Sequence, residues 1–158
     1  MSQGWVSVIG VGSPRGDDRL GWVALEALKQ SARLAPLIPQ RLRLDVRDRP
    51  GLLLLSAWQG AQSVILIDAV CSGAEPGSVL RLAGADIGAP GGSVSTHGFG
   101  VATAVALARV LQQLPAALVL LGLEVDPLSS GEGLSPSLQA ALPDFLQLIE
   151  HEVLVAAG

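Results

Sequence analysis

The sequence is short of several things that would point to a function at once. Cysteine occurs once, as Cys71, in 158 residues. No disulfide can close within the chain, and no cysteine pair is present to build a structural metal site. Positive charge is scarce: the net charge is −4 and the pI about 5.0. There is thus no electrostatic reason to expect a nucleic-acid partner. Long apolar runs are missing too. The longest candidate, "AALVLLGLEV", extends only from Ala116 to Val125, well below the ~20 residues of a membrane span. The opening "MSQGWVSVIG" has neither the basic start nor the cleavable apolar stretch of a secretory signal. The expectation is a soluble cytoplasmic protein without a membrane partner. Catalytic signatures are equally sparse, with no H-E-x-x-H and no G-x-S-x-G.

What remains is rich in apolar residues, 49% of the chain. That is enough to cover both faces of a sheet in one domain, residues 1–158. The patterning alternates. "WVSVIG" (5–10) and "SVILID" (63–68) read as buried strands, "RLRLDV" (41–46) as a strand with one wet face, "SVLRLA" (78–83) as a further strand at an edge, and "ALVLLGLEV" (117–125) as a last central strand. Between them, Leu20, Val23, Ala24, Ala27 and Leu28 mark one face of a helix that begins at Asp18. "LLLLSAW" (52–58) and "GVATAVALARVLQQL" (100–114) read as helices, as does 135–155, with Ser135 as N-cap and Pro136 at the first helical position. Stretches 84–96 and 126–136 read as loops. Strands alternating with helices imply parallel crossovers and a three-layer α/β/α sandwich.

One segment resists a simple reading. "GVGSPRGDDRLG" (10–21) lies between the first strand and the first helix, where an α/β protein commonly holds a phosphate. Its glycines follow G-x-G-x-x-x-G, a weak nucleotide signal. Asp17 and Asp18 stand where the phosphate would go and would repel it. The plainer reading is that both aspartates cap the helix and complement its dipole. Two carboxylates beside a Gly/Pro loop exceed what capping requires.

Partners for them lie further on. Asp68 closes an apolar strand, where an ionised group is costly unless paired or coordinated; a turn cap is the alternative. Ligands in open α/β sheets bind beyond the carboxyl ends of the strands, and both Asp68 and Asp17–Asp18 map there. His97, in "STHGFG", opens the alanine-rich helix, where the dipole favours the neutral imidazole that binds metal. Exposed or structural histidine is the competing reading. His151, in the polar "IEHEV", reads as solvated. Cys71 follows Asp68 by three residues; a nucleophilic role would need a base and a lowered pKa, and the incidental reading is preferred. Two carboxylates from this rim, where Asp68 and the pair Asp17–Asp18 lie, together with the His97 imidazole would form an open O/N site suited to zinc or nickel, with positions left for water or substrate.

At this point "GVGSPRGDDRLG", "VILIDAV", "STHGFG" and "GLSPSLQAALPDFLQLIEHEV", in this order and spacing, resemble the nickel–iron hydrogenase maturation endopeptidases. The resemblance spans nearly the whole chain. It implies a twisted, mostly parallel five-stranded sheet between helices. It also implies removal of a C-terminal extension from the precursor of the hydrogenase large subunit, the partner protein, after nickel insertion. By the same resemblance Asp18, Asp68 and His97 match the metal-contacting and catalytic positions, with the nickel carried by the substrate rather than held permanently by the enzyme. Asp17 matches a supporting acidic neighbour. Two departures stand out. Ser13 replaces an asparagine usual in the family, and "DVRDRPG" (45–51) replaces an Asp-Gly-Thr pattern, leaving open whether Asp45 or Asp48 takes that aspartate's role. Arg15, Arg41, Arg43, Arg47 and Arg49 offer either a docking face for an acidic substrate surface or a solvated strand face. Readings from other classes are a nickel-dependent binding or chaperone module without peptidase chemistry, and a nucleotide-binding regulator, which the two aspartates argue against.

Overall fold

The structure, a computed structural model, describes residues 4–48, 53–88, 95–96 and 101–158. Strands β1 (Val6–Gly12), β2 (Leu42–Asp48), β3 (Ser63–Cys71), β4 (Val79–Ala83), β5 (Ser95–Thr96) and β6 (Ala117–Glu124) alternate with helices α1 (Leu20–Leu28), α2 (Leu53–Ala57), α3 (Val101–Val110) and α4 (Pro136–Ala157). The main sheet runs β2-β1-β3-β6-β4. The first four of these strands are mutually parallel and β4 runs antiparallel along β6. The expected mostly parallel five-stranded sheet and α/β/α layering are therefore present. The two-residue β5, antiparallel to the end of β3, falls in a stretch expected to be loop.

Strand alternation divides the core in two. Val6 and Val8 of β1 and Ile65 and Ile67 of β3 pack under α1 and α4, with Phe145, Ile149 and Val153. Ile9, Val11, Val64, Leu66 and Val70 point the other way, onto α2 and α3. Asp68 shares the parity of Leu66 and Val70 and so belongs to the α2/α3 face. Burying each large side chain stabilises the fold by roughly 1.5–3 kcal/mol, which is why β1 and β3 carry almost unbroken apolar runs. Ser135 caps α4 as expected: its Oγ accepts from the Leu138 N–H at 3.5 Å, and Pro136 follows at the first helical position.

Three expectations need correction. Asp68 does not close β3, because the strand continues to Cys71. The helix expected from Asp18 begins at Leu20, preceded by a 3-10 turn over Gly16–Arg19. Its buried face is centred on Leu20, Gly21, Ala24, Leu25 and Leu28, leaving Val23 and Ala27 half-buried. Strand β2 runs on past the expected end at 46, so Asp48 as well as Asp45 lies within it rather than in a loop after it.

The opening glycines serve packing. A Cβ on Gly10 would stand 2.3 Å from the Gly21 carbonyl oxygen, and one on Gly21 would stand 2.4 Å from that of Val11. Strand β1 and helix α1 approach so closely that no side chain fits between them. Close backbone approach, not phosphate cradling, accounts for Gly10 and Gly12, and Gly16 takes the left-handed φ of 53° that its turn requires.

Candidate active site

The parallel strands end on one side of the molecule: Gly12 for β1, Asp48 for β2, Cys71 for β3 and Glu124 for β6. Carboxylates gather at this edge, and the surroundings of Asp17, Asp18, Asp68 and Glu124 differ sharply.

Asp17 is satisfied from within. Its Oδ1 accepts from the Ser135 N–H at 2.7 Å, and its Oδ2 accepts from the Asp126 N–H and the Ser135 Oγ, both at 3.0 Å. One side chain thus ties the opening loop to the segment after β6 and to the start of α4. Glu124, whose importance the sequence did not reveal, is 3% exposed. It accepts from the Ser72 N–H and Oγ, each at 2.7 Å, and from the Gly73 N–H at 2.9 Å, fixing the turn after β3.

Asp18 sits in the 3-10 turn, half-buried. Its Oδ2 accepts from the Ser13 Oγ at 3.1 Å, and its carbonyl oxygen accepts from the Ser13 N–H at 3.1 Å. Neither aspartate caps a helix. The cap positions fall on Arg15 and Arg19, with no side-chain cap bond, so the capping part of the plainer reading is set aside, while both aspartates do lie in the first turn, where the dipole favours them.

Asp68 is different again. It is fully buried, and neither carboxylate oxygen has a hydrogen-bond partner among the described residues. Burial pushes its pKa well above the usual 3.8; the nearby Ala69 N–H, outside hydrogen-bond geometry, opposes this, and the charge of Asp18 adds to the rise. The two carboxylates expected to act together are therefore close enough to interact, though they come from a loop and from the middle of the sheet. Buried polar groups without partners are rare in folded proteins and concentrate where chemistry needs them.

His97 lies outside the described residues. Thr96, which precedes it, pairs in register with Val70, two residues from Asp68. Of the two acidic alternatives on β2, Asp45 lies opposite Ile9 and pairs with Arg47 at 2.8 Å, whereas Asp48 lies opposite Gly12 at the strand end. Asp48 is the one the fold brings to the opening loop. Cys71 ends β3 and is exposed, and His151 is exposed on α4. The arginines in and just before β2 are drawn into contacts within the chain: Arg43 stacks 4.0 Å over the Trp5 ring, Arg47 pairs with Asp45, and Arg41 donates to the Ala157 carbonyl. Arg49 lies outside the described residues.

A cavity of about 410 Å³ opens beside Asp18, walled by the 15–18 turn and by Asp126, Pro127, Ser129 and Gly131 of the loop after β6. Another, of about 550 Å³, lies at the opposite end of the strands, near Ser63 and Ala117. It is lined by Arg81, which is paired with Glu152, and by Arg109, which donates to the Gly84 carbonyl. No described helix is long and apolar enough to cross a membrane.

Residues 50–152 match the family model of the hydrogenase maturation proteases. The chain belongs to that family. Its members are peptidases, and the chain is a hydrolase of this class. The matched span contains Asp68 and His97 but starts after Asp17 and Asp18. The opening loop is covered instead by the fold comparisons. The hydrogenase maturating endopeptidase HybD of E. coli superposes with a TM-score of 0.77 at 21% identity, over 96% of this chain and 93% of that one. HybD from Thermococcus kodakarensis gives 0.70 at 19% identity, over 94% and 99%. An endopeptidase from Escherichia coli gives 0.73 at 23% identity, over 92% and 89%. No significant match was found among proteins of curated function. A hydrogenase maturation protease fold thus brings Asp18 and Asp68 together.

Proposed function

We propose that this protein is the endopeptidase that removes the C-terminal extension from the precursor of a nickel–iron hydrogenase large subunit, and that it reads the nickel carried by that precursor. The observation that carries the reading is Asp68, a buried carboxylate with no hydrogen-bond donor among the described residues, whose charge interacts with that of Asp18 near the C-terminal ends of the strands.

Such a group is satisfied in one of two ways: it keeps a proton, or it faces a cation. Its donor set suits the second. Asp18 and Asp68 supply hard oxygens, and His97, from the sequence motif, supplies an imidazole, a mixture that fits nickel or another borderline divalent ion. Three ligands complete the coordination of an ion already held by the precursor, and they make a poor cage for a free one. On this reading nickel is part of the substrate. The precursor's metal enters the acidic pair, Asp68 gives up its proton, and the scissile carbonyl is brought to the cavity beside Asp18. The metal polarises that carbonyl or its bound water, and an ionised carboxylate takes the proton from the attacking water. Asp17 and Glu124, with all their hydrogen bonds internal, hold the surrounding loops.

Mass spectrometry of a nickel-loaded large-subunit precursor incubated with the protein tests this. Loss of one defined C-terminal peptide is expected. A stable complex without cleavage would select a binding or chaperone module instead.

A further inference from the structure

Among the described residues, all but two of the basic side chains are engaged within the chain, in ion pairs, on carbonyl oxygens or over the Trp5 ring. The two are Arg15 and Arg19, both exposed, one just before the opening 3-10 turn and one at its end. They share a cavity of about 600 Å³, walled by Pro14, Arg15 and Arg19 on one side and by Ser130, Gly131 and Glu132 on the other. This cavity adjoins the one beside Asp18: Arg15, Gly16, Ser130 and Gly131 line both. The ridge between them is low and fixed. The Gly16 N–H donates to the Glu132 carbonyl at 2.8 Å, and a Cβ on Gly16 would stand 3.3 Å from the Gly131 carbonyl oxygen. Apart from Arg15 itself, glycines and a serine form this ridge, so an extended polypeptide crosses it without meeting a bulky side chain.

We propose that the cavity between Arg15 and Arg19 is a specificity subsite of the peptidase: it takes an acidic side chain of the precursor, on the segment next to the bond held beside Asp18. The proposal rests on the reading of the Asp18 cavity as the place of cleavage. The physical ground is charge. The chain carries a net charge of −4, and Asp17, Asp18 and Asp126 line the first cavity. A carboxylate approaching this edge is repelled except where the two guanidinium groups stand. Their planar forks match a carboxylate with two parallel N–H···O bonds.

The wall holds one opposing group. Glu132 is exposed in the same cavity but forms no ion pair with either arginine, so the lining keeps an excess of one positive charge and both forks stay open to an incoming carboxylate. The arginines in and just before β2 do not compete, because Arg41, Arg43 and Arg47 are held within the chain.

Exchange of charge tests the subsite. With Arg15→Gln/Arg19→Gln, KM for nickel-loaded precursor is expected to rise roughly three- to twentyfold, the range for two exposed ion pairs. The loss should fall on KM rather than kcat, and the salt dependence of kcat/KM should flatten. Arg15→Glu/Arg19→Glu should process the precursor more weakly still. Replacing one acidic residue beside the cleavage point of the precursor by Lys should restore that variant and impair the wild type. Circular dichroism and melting temperature should match the wild type throughout, since both side chains are exposed. An unchanged KM and salt slope in the glutamine variant, or no Lys substitution that rescues the glutamate variant, would overturn the proposal. A second readout needs no cleavage. In isotope-labelled free protein titrated with acetyl-Glu-Glu amide, the Nε–Hε signals of Arg15 and Arg19 should shift while those of the other arginines stay; acetyl-Gln-Gln amide should move neither. Equal shifts at every arginine, or none, would also overturn it. A wild type that cuts no loaded precursor, with the Arg15 and Arg19 shifts as expected, would instead count against the function proposed above.

Discussion

The carbonyl oxygen of Asp18 lies where a side chain of Gly12 would begin: a Cβ built on Gly12 comes within 2.1 Å of it. A strand residue and a site residue thus share one space, and the absence of a side chain at the first is a condition for the position of the second. Gly12→Ala should lower stability by about 1–3 kcal/mol, because backbone is opposed by backbone and neither side can yield cheaply. Precursor processing should fall further than stability does, since relief of the clash displaces Asp18. Chemical denaturation alongside a cleavage assay checks this; a variant of normal stability and rate would show that the turn relaxes freely.

Asp17 and Asp68 should respond to substitution with opposite signs. Asp17→Ala removes the acceptor of three hydrogen bonds and leaves the Ser135 and Asp126 donors without it. A loss of about 2–4 kcal/mol is expected, with the start of α4 and the segment after β6 losing protection first. Amide hydrogen exchange is the measurement. Uniform exchange across the chain, equal to wild type, would remove Asp17 from its supporting role.

Asp68→Asn should stabilise the protein at neutral pH while abolishing processing. Burial raises the folded-state pKa of Asp68 above its usual 3.8, so the native state holds the proton more tightly than the unfolded chain. Folding stability from this group is therefore greatest below pH 3.8 and declines as pH rises from there toward the elevated value. Each unit of elevation costs about 1.4 kcal/mol, and the amide variant escapes that cost. A higher melting temperature than that of the wild type is expected near pH 7. The gap should close as the pH falls below 3.8. A variant less stable than wild type at neutral pH would mean that the buried carboxylate is satisfied after all.

Much of the architecture was legible in the sequence, because β-branched and leucine runs alternating with 3.6-period helices have one economical packing. Ser135 and Pro136 marked the start of α4 to the residue. Asp68 was noticed because an acidic group inside "SVILIDAV" has no innocuous place to go. The opening glycines misled in kind: their spacing is shared by phosphate loops and by close strand–helix packing, and only the contacts of Gly10, Gly12 and Gly21 distinguish the two. Glu124 was invisible because its partners, Ser72 and Gly73, lie 52 and 51 residues away; nothing local marks it. The supporting part of Asp17 was expected, but its partners, 109 and 118 residues distant, could not be read. Ser13 was noted as a departure that removes an amide; its hydroxyl reaches Asp18 instead.

The central claim, that the acidic pair reads nickel on the substrate, is tested most directly by gel-shift analysis of a purified precursor prepared with and without nickel. Enzyme stripped by chelator should still cut the loaded precursor. Precursor lacking nickel should stay intact even with excess enzyme, and reconstitution should restore cutting. Asp18→Asn, which keeps the shape but removes the anionic ligand, should leave loaded precursor uncut. Efficient cleavage of nickel-free precursor by wild-type enzyme would contradict the account and reduce Asp18 and Asp68 to an ordinary acid–base pair.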